Sequence, residues 1–147
     1  MAVVIVPAII LLFSEFKCST WKDLQFYVSI IFGILGFILA LWTMWLFAKI
    51  GKGTLAPWNP PKKLVISGPY CYIRNPMLTS IWLIQLGEAF YFQSINLGIY
   101  LVIFIIFNMI YFPLIEERGL RKRFGKEYEE YCKHVPRYLP KLKSWKP

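Results

Sequence analysis

Histidine and aspartate are almost missing from this chain: His134 and Asp23 are the sole examples in 147 residues. The three cysteines, Cys18, Cys71 and Cys132, show no C-x-x-C spacing. A protein-built zinc or iron–sulfur centre therefore lacks its ligands, and no metal site is expected. A Ser-His-Asp arrangement would need His134 as base and Asp23 as its partner, and the topology argued below puts them on opposite sides of a membrane. The thiols read as reduced, with no disulfide framework. Gly51-Lys52-Gly53-Thr54 resembles the end of a phosphate loop, but Leu46 stands where the upstream glycine is required and no strand precedes it. Acidic residues are also scarce, 8 against 17 basic ones, for a net charge of +9. Such a balance can signal nucleic acid. In a chain that is 57% hydrophobic it marks instead the cytosolic rim of a membrane protein, so no nucleic-acid partner is expected. There are no internal repeats and no low-complexity linker, and disorder is excluded by composition. The length suits a single domain, 1–147.

What the chain does have is long apolar runs. Residues 24–48 carry no ionisable side chain, and a helical crossing needs about 20 apolar residues. Residues 95–115 form a second such run, interrupted by Asn96, Gly98, Asn108 and Pro113. Between them, 77–92 is shorter and carries Gln85 and Glu88, as expected of a helix packed inside a bundle. The opening run, 2–13, has no basic start and no small-residue cleavage pattern, so it reads as a short, tilted or half-inserted helix and not as a removable leader. The expected fold class is all-α: an integral membrane bundle of three to four transmembrane helices.

Charge sets the orientation. Lys49, Lys52, Lys62, Lys63 and Arg74 cluster between the second and third runs, and ten more basic residues lie between Arg118 and Lys146. Both regions should face the cytosol, with 14–23 and the turn at 93–94 outside. Both cytosolic ends of the third and fourth helices then meet conspicuous sequence, 68–77 at one and 113–131 at the other. In the tail, Leu120, Phe124, Tyr128 and Tyr131 recur at helical spacing opposite Arg121, Lys122, Lys126 and Glu129, which predicts an amphipathic cytosolic helix for membrane lipid to hold. Trp58-Asn59-Pro60-Pro61 cannot be helical and should run extended along the membrane surface.

Certain residues suggest chemistry as well as structure. Asn75-Pro76 is a strong helix start, and a helix N-terminus beside Arg74 also attracts anions. Tyr70 and Tyr72 would ordinarily belong to an interfacial aromatic belt, but flanking a basic, capping turn they could also face a cationic ligand. Glu116-Glu117 ends an apolar helix where Lys and Arg would be favoured, so a cation should be near; Arg118 and Arg121 could supply it as plain salt bridges, or Pro113 could turn the carboxylates inward. Glu88, inside an apolar helix, either hydrogen-bonds a neighbouring helix or lines a substrate cavity.

Ser67-Gly68-Pro69-Tyr70-Cys71-Tyr72-Ile73-Arg74-Asn75-Pro76-Met77, then Glu116-Glu117, then Phe124-Gly125-Lys126-Glu127-Tyr128 through Tyr131 and Val135-Pro136-Arg137, resembles the isoprenylcysteine carboxyl methyltransferase and phospholipid methyltransferase family. The likeness covers about residues 51–140. It implies an integral membrane enzyme that uses S-adenosylmethionine at the cytosolic face. The cofactor candidates it implies are Tyr70, Tyr72, Arg74, Asn75, Pro76, Leu86, Gly87, Glu116 and Glu117. Many members have histidine where Asn75 stands; the amide can still hydrogen-bond adenine or ribose. The expected reaction is methyl transfer to a lipid-like small molecule whose acceptor is a carboxylate or an amine. Arg74 and Glu88 are the catalytic candidates, Glu88 as base for an amine. Two other readings remain open: a sterol-type membrane reductase using NADPH, and a non-catalytic membrane subunit. A phosphate-rich dinucleotide would call for basic residues where Glu116-Glu117 stands, which favours the sulfonium cofactor.

Overall fold

The computed structural model describes residues 3–51 and 63–145, and among these the secondary structure is helical, with no strand. Trp58-Asn59-Pro60-Pro61, predicted as extended, lies outside the described residues. Helix α1 spans Ile5–Leu12 and α2 spans Leu24–Leu46, running on through a π-helical turn, Phe47–Gly51. A 3₁₀ turn, Gly68–Cys71, precedes α3, Pro76–Tyr91. Helix α4, Ile95–Tyr111, continues through a second π-helical turn, Phe112–Glu116, into α5, Glu117–His134.

Two of these helices are long and apolar enough to cross a membrane, Leu24–Gly51 and Ile95–His134. At about 1.5 Å per residue, the 23 residues of α2 exceed a bilayer core of roughly 30 Å. The 8 residues of α1 reach only about 12 Å, so that helix alone cannot span. Ile30, Ile31, Ile34, Phe37, Ile38 and Leu41 on α2, and Ile99, Val102, Ile103, Ile106 and Ile110 on α4, all stand exposed. So continuous an apolar surface is costly in water and ordinary in lipid.

The chain divides into two compact units that interleave along the sequence: Met1–Ile38 with Ser80–Met109, and Leu39–Thr79 with Ile110–Pro147. In the first, α2 and α3 approach through small residues. A Cβ on Gly36 would lie 2.8 Å from Ser80 O and 2.9 Å from Ile84 N, and one on Gly87 would lie 2.9 Å from Ser29 O. Close backbone approach of this kind is the usual device for joining helices in lipid, where burial of apolar side chains gives no drive. The segment 14–23 is tied to the end of α3 by Lys17 N–H and Ser19 N–H, which donate to Phe92 O and Tyr91 O. Gln93, with φ 45°, turns the chain there and donates from Nε2 to Ser19 Oγ at 3.0 Å. The two segments expected outside are therefore neighbours.

The second unit holds two apolar clusters. Leu46, Val65 and Tyr70 form one, backed by Phe47 and Ile50. Tyr128, Tyr131 and Val135 form the other, backed by Leu64, Ile66, Leu120, Phe124 and Trp145. The apolar face of α5 thus packs against protein, whereas periodicity alone suggested a face for lipid. That helix is also broken at Gly125 (φ 52°, ψ −126°), a conformation that L side chains rarely adopt.

Candidate functional site

The turn before α3 is built from its own sequence. Gly68, at φ 56°, lets the chain reverse beneath Trp42 and Leu46, and Pro69 starts the 3₁₀ turn that buries Tyr70. The Tyr70 ring packs on Phe47 at 5.7 Å between centroids, and burial pushes its hydroxyl pKa upward. Tyr72 lies on the other side and is 40% exposed. Asn75 Oδ1 accepts from Leu78 N–H at 3.4 Å, and Pro76 opens the helix, so this pair caps α3 as its sequence predicts.

The stretch 136–145 folds back onto this turn. Arg74 N–H donates to Pro136 O (2.9 Å), Lys141 N–H to Tyr72 O (3.0 Å) and Trp145 N–H to Cys71 O (3.0 Å). Tyr131 Oη–H donates to Tyr70 O at 2.7 Å. These bonds lock the tyrosine turn to the end of the chain.

An ion cluster sits beside them. Glu117 is 2% exposed. Its Oε1 accepts from Arg137 Nε at 2.6 Å and pairs with Arg74 Nη1 at 3.1 Å, while Oε2 accepts from Arg137 Nη2 at 2.8 Å. The fork-to-carboxylate geometry is the strong bidentate form, and it holds the Arg137 pKa above the ordinary guanidinium value. Arg74 Nη1 also reaches Cys132 Sγ at 2.8 Å. Glu116, one residue earlier, is exposed. Successive helical residues point about 100° apart, so the adjacent carboxylates serve different surroundings. Arg121, the i+4 partner that helical spacing offers Glu117, is exposed, as is Arg118.

The structure therefore brings Arg74 and Glu117 into contact and sets Tyr70, Tyr72, Asn75 and Pro76 on the same turn. Leu86, Gly87 and Glu88 lie on α3 in the other unit: Gly87 backs onto α2, and Leu86 is half-buried. Glu88 Oε2 is buried and finds no hydrogen-bond partner among the described residues; Tyr100 lies near it and hydrogen-bonds Gln85. Sequence reasoning gave Arg137, Tyr128 and Cys132 no place among the site candidates. The Pro136-Arg137 step that follows α5 was visible as a motif, but its folding back is a long-range event with no local signature.

The described residues are all helical or irregular and carry two apolar helices of spanning length, the build of an integral membrane protein. Residues 24–127, over two-thirds of the chain, match the family model described as phospholipid methyltransferase, and the chain belongs to that family of membrane methyltransferases. No curated protein and no solved structure matches it. The family match stops short of Tyr128, Cys132 and Arg137, which complete the ion cluster.

Proposed function

We propose that this chain, acting as one domain of three to four transmembrane helices, transfers a methyl group from S-adenosylmethionine to a lipid-like acceptor at the cytosolic membrane face. The observation that carries this reading is the contact between the proline-punctuated tyrosine turn and α5 through Arg74 and Glu117, inside a chain of this family. When bound, S-adenosylmethionine supplies an electrophilic methyl on a positively charged sulfur. The residues of the second unit fit its polarity: a cationic pair for a carboxylate, an exposed carboxylate on Glu116 for an ammonium or a ribose diol, and the exposed Tyr72 ring for a cationic centre.

In this reading Glu117 holds Arg74 and Arg137 in place, its two oxygens being engaged, while Glu116, Tyr72 and Asn75 face the cofactor. Tyr70 and Pro76, both buried, shape the turn beneath it. Methyl transfer asks mainly for alignment and exclusion of water, which an all-helical membrane site provides. A carboxylate acceptor needs no base. An amine acceptor must lose a proton, and Glu88 Oε2 is the atom assigned to take it.

Calorimetry of the full chain in detergent should show binding of S-adenosylhomocysteine, and lipid extracts incubated with radiolabelled S-adenosylmethionine should yield a labelled lipid. Binding of NADPH alone, with no labelled product, would refute the assignment.

Orientation is tested separately. Cys18 is exposed in the segment assigned outside. An impermeant maleimide should label it in intact cells, whereas Lys133→Cys in a Cys18→Ser, Cys132→Ser background should react only after permeabilisation. The reverse pattern would invert the topology.

A further inference from the structure

The ion cluster of the second unit does not balance. Two guanidinium groups, Arg74 and Arg137, face one carboxylate, Glu117, which leaves one positive charge uncompensated among the described residues. The Arg74 side chain is 9% exposed, so that charge is not simply hydrated. Two hydrogen-bond donors of the cluster are also unused: Arg74 Nε and Tyr128 Oη are buried with no partner among the described residues. Tyr128 is 1% exposed; its hydroxyl has only the weakly accepting Cys132 thiol to turn to among the described residues and interacts electrostatically with Glu117 and Arg74, which places it within the same cluster. Buried donors are nearly always satisfied in folded proteins, and a buried charge without a partner costs several kcal/mol. Surplus positive charge and spare donors share one complement, an acceptor that carries negative charge. Arg137, 33% exposed, is the edge of the cluster open to an incoming group.

We propose that Arg74, Tyr128 and Arg137 form a receptor for an oxyanion, a carboxylate or phosphate group of a ligand of this enzyme, with Glu117 fixing the two guanidinium planes. The site rests on the methyltransferase reading for its ligands. Two sources can supply the group: the amino-acid carboxylate of the cofactor and the phosphodiester of a lipid head group. Nothing else in the inventory serves as well. The Sγ of Cys132 is a weak acceptor, and it already receives Arg74 Nη1.

The test titrates the full chain in nonionic detergent with two matched pairs: S-adenosylhomocysteine against its decarboxylated analogue, and a short-chain phosphatidylethanolamine against the diacylglycerol of equal chain length. Tyr128→Phe keeps the buried ring and removes only the hydroxyl, and Arg137→Gln leaves the Arg74–Glu117 pair neutral. Each should weaken the anion-bearing member of one pair by about tenfold and leave its counterpart without the oxyanion unchanged, with Arg137→Lys restoring part of the loss. Loss confined to S-adenosylhomocysteine assigns the site to the cofactor carboxylate; loss confined to the phospholipid assigns it to the phosphate. Equal losses within each pair, or no loss, overturn the oxyanion site while leaving the methyltransferase reading intact. A wild-type chain that binds neither charged probe overturns both. Should Arg137→Gln fail to fold, Tyr128→Phe decides the matter alone.

Discussion

Glu117→Gln should destabilise the protein by about 3 kcal/mol, the low end of what removing one partner from a buried ion pair costs. The low end applies because Arg137 is 33% exposed and water relieves part of its charge. Glutamine keeps the shape but turns an NH₂ group toward two guanidinium groups that have no other carboxylate within salt-bridge reach among the described residues. Since Arg74 N–H also joins the turn to Pro136, the damage should extend to the tyrosine turn and lower S-adenosylhomocysteine affinity. Glu129→Gln, at an exposed position of α5, is the control and should change stability by less than about 0.5 kcal/mol. Denaturant unfolding in detergent micelles measures the first effect and calorimetry the second. Equal behaviour of the two variants would remove Glu117 from the site. Arg137→Gln should be milder than Glu117→Gln, because it leaves one cation facing one anion.

A second large effect is expected at Gly36. A Cβ there would meet Ser80 O and Ile84 N, backbone atoms that cannot rotate aside, so the helices must separate. Overpacking a core costs about 1–3 kcal/mol for modest additions, and Gly36→Leu should exceed that range and abolish recovery of folded protein. Gly33 and Gly98 provide the comparison, since a Cβ on either meets nothing within 4 Å. Alanine at those positions should be recovered from the membrane at wild-type yield, as judged by size-exclusion chromatography in detergent. Wild-type yield for Gly36→Leu would mean that α2 and α3 do not touch at this point.

The helices were legible because their signals are local. A charge-free run long enough to cross lipid predicted α2, and Asn75-Pro76 predicted the start of α3 at the residue where it begins. The π-helical turns at Phe47–Gly51 and Phe112–Glu116 were not legible: an added residue per turn depends on what the following segment packs against. The spacing of Leu120, Phe124, Tyr128 and Tyr131 gave the right face for α5, but the face meets Val135 and Trp145 within the protein. Gly125 was a visible interruption of that pattern, and its positive φ is the reason glycine stands there.

Arg74 and Glu117 were singled out from sequence as separate features, one as an anchor beside a helix start and the other as an anomalous acid. That they bond each other, 43 residues apart by 117 − 74, was not readable from either neighbourhood. Arg137 was less legible still, because a lone arginine after a proline in a basic tail looks like any cytosolic charge.

The sequence by itself determined that this chain carries two apolar segments of membrane-spanning length, where α3 begins and which family it joins, because hydrophobic length, capping and motif spacing act over a few neighbouring residues. The tertiary structure alone decided which of two adjacent acids is buried and which arginines hold it. Consecutive helical positions face different ways, and the second guanidinium arrives only when residues 136–145 fold back onto the turn.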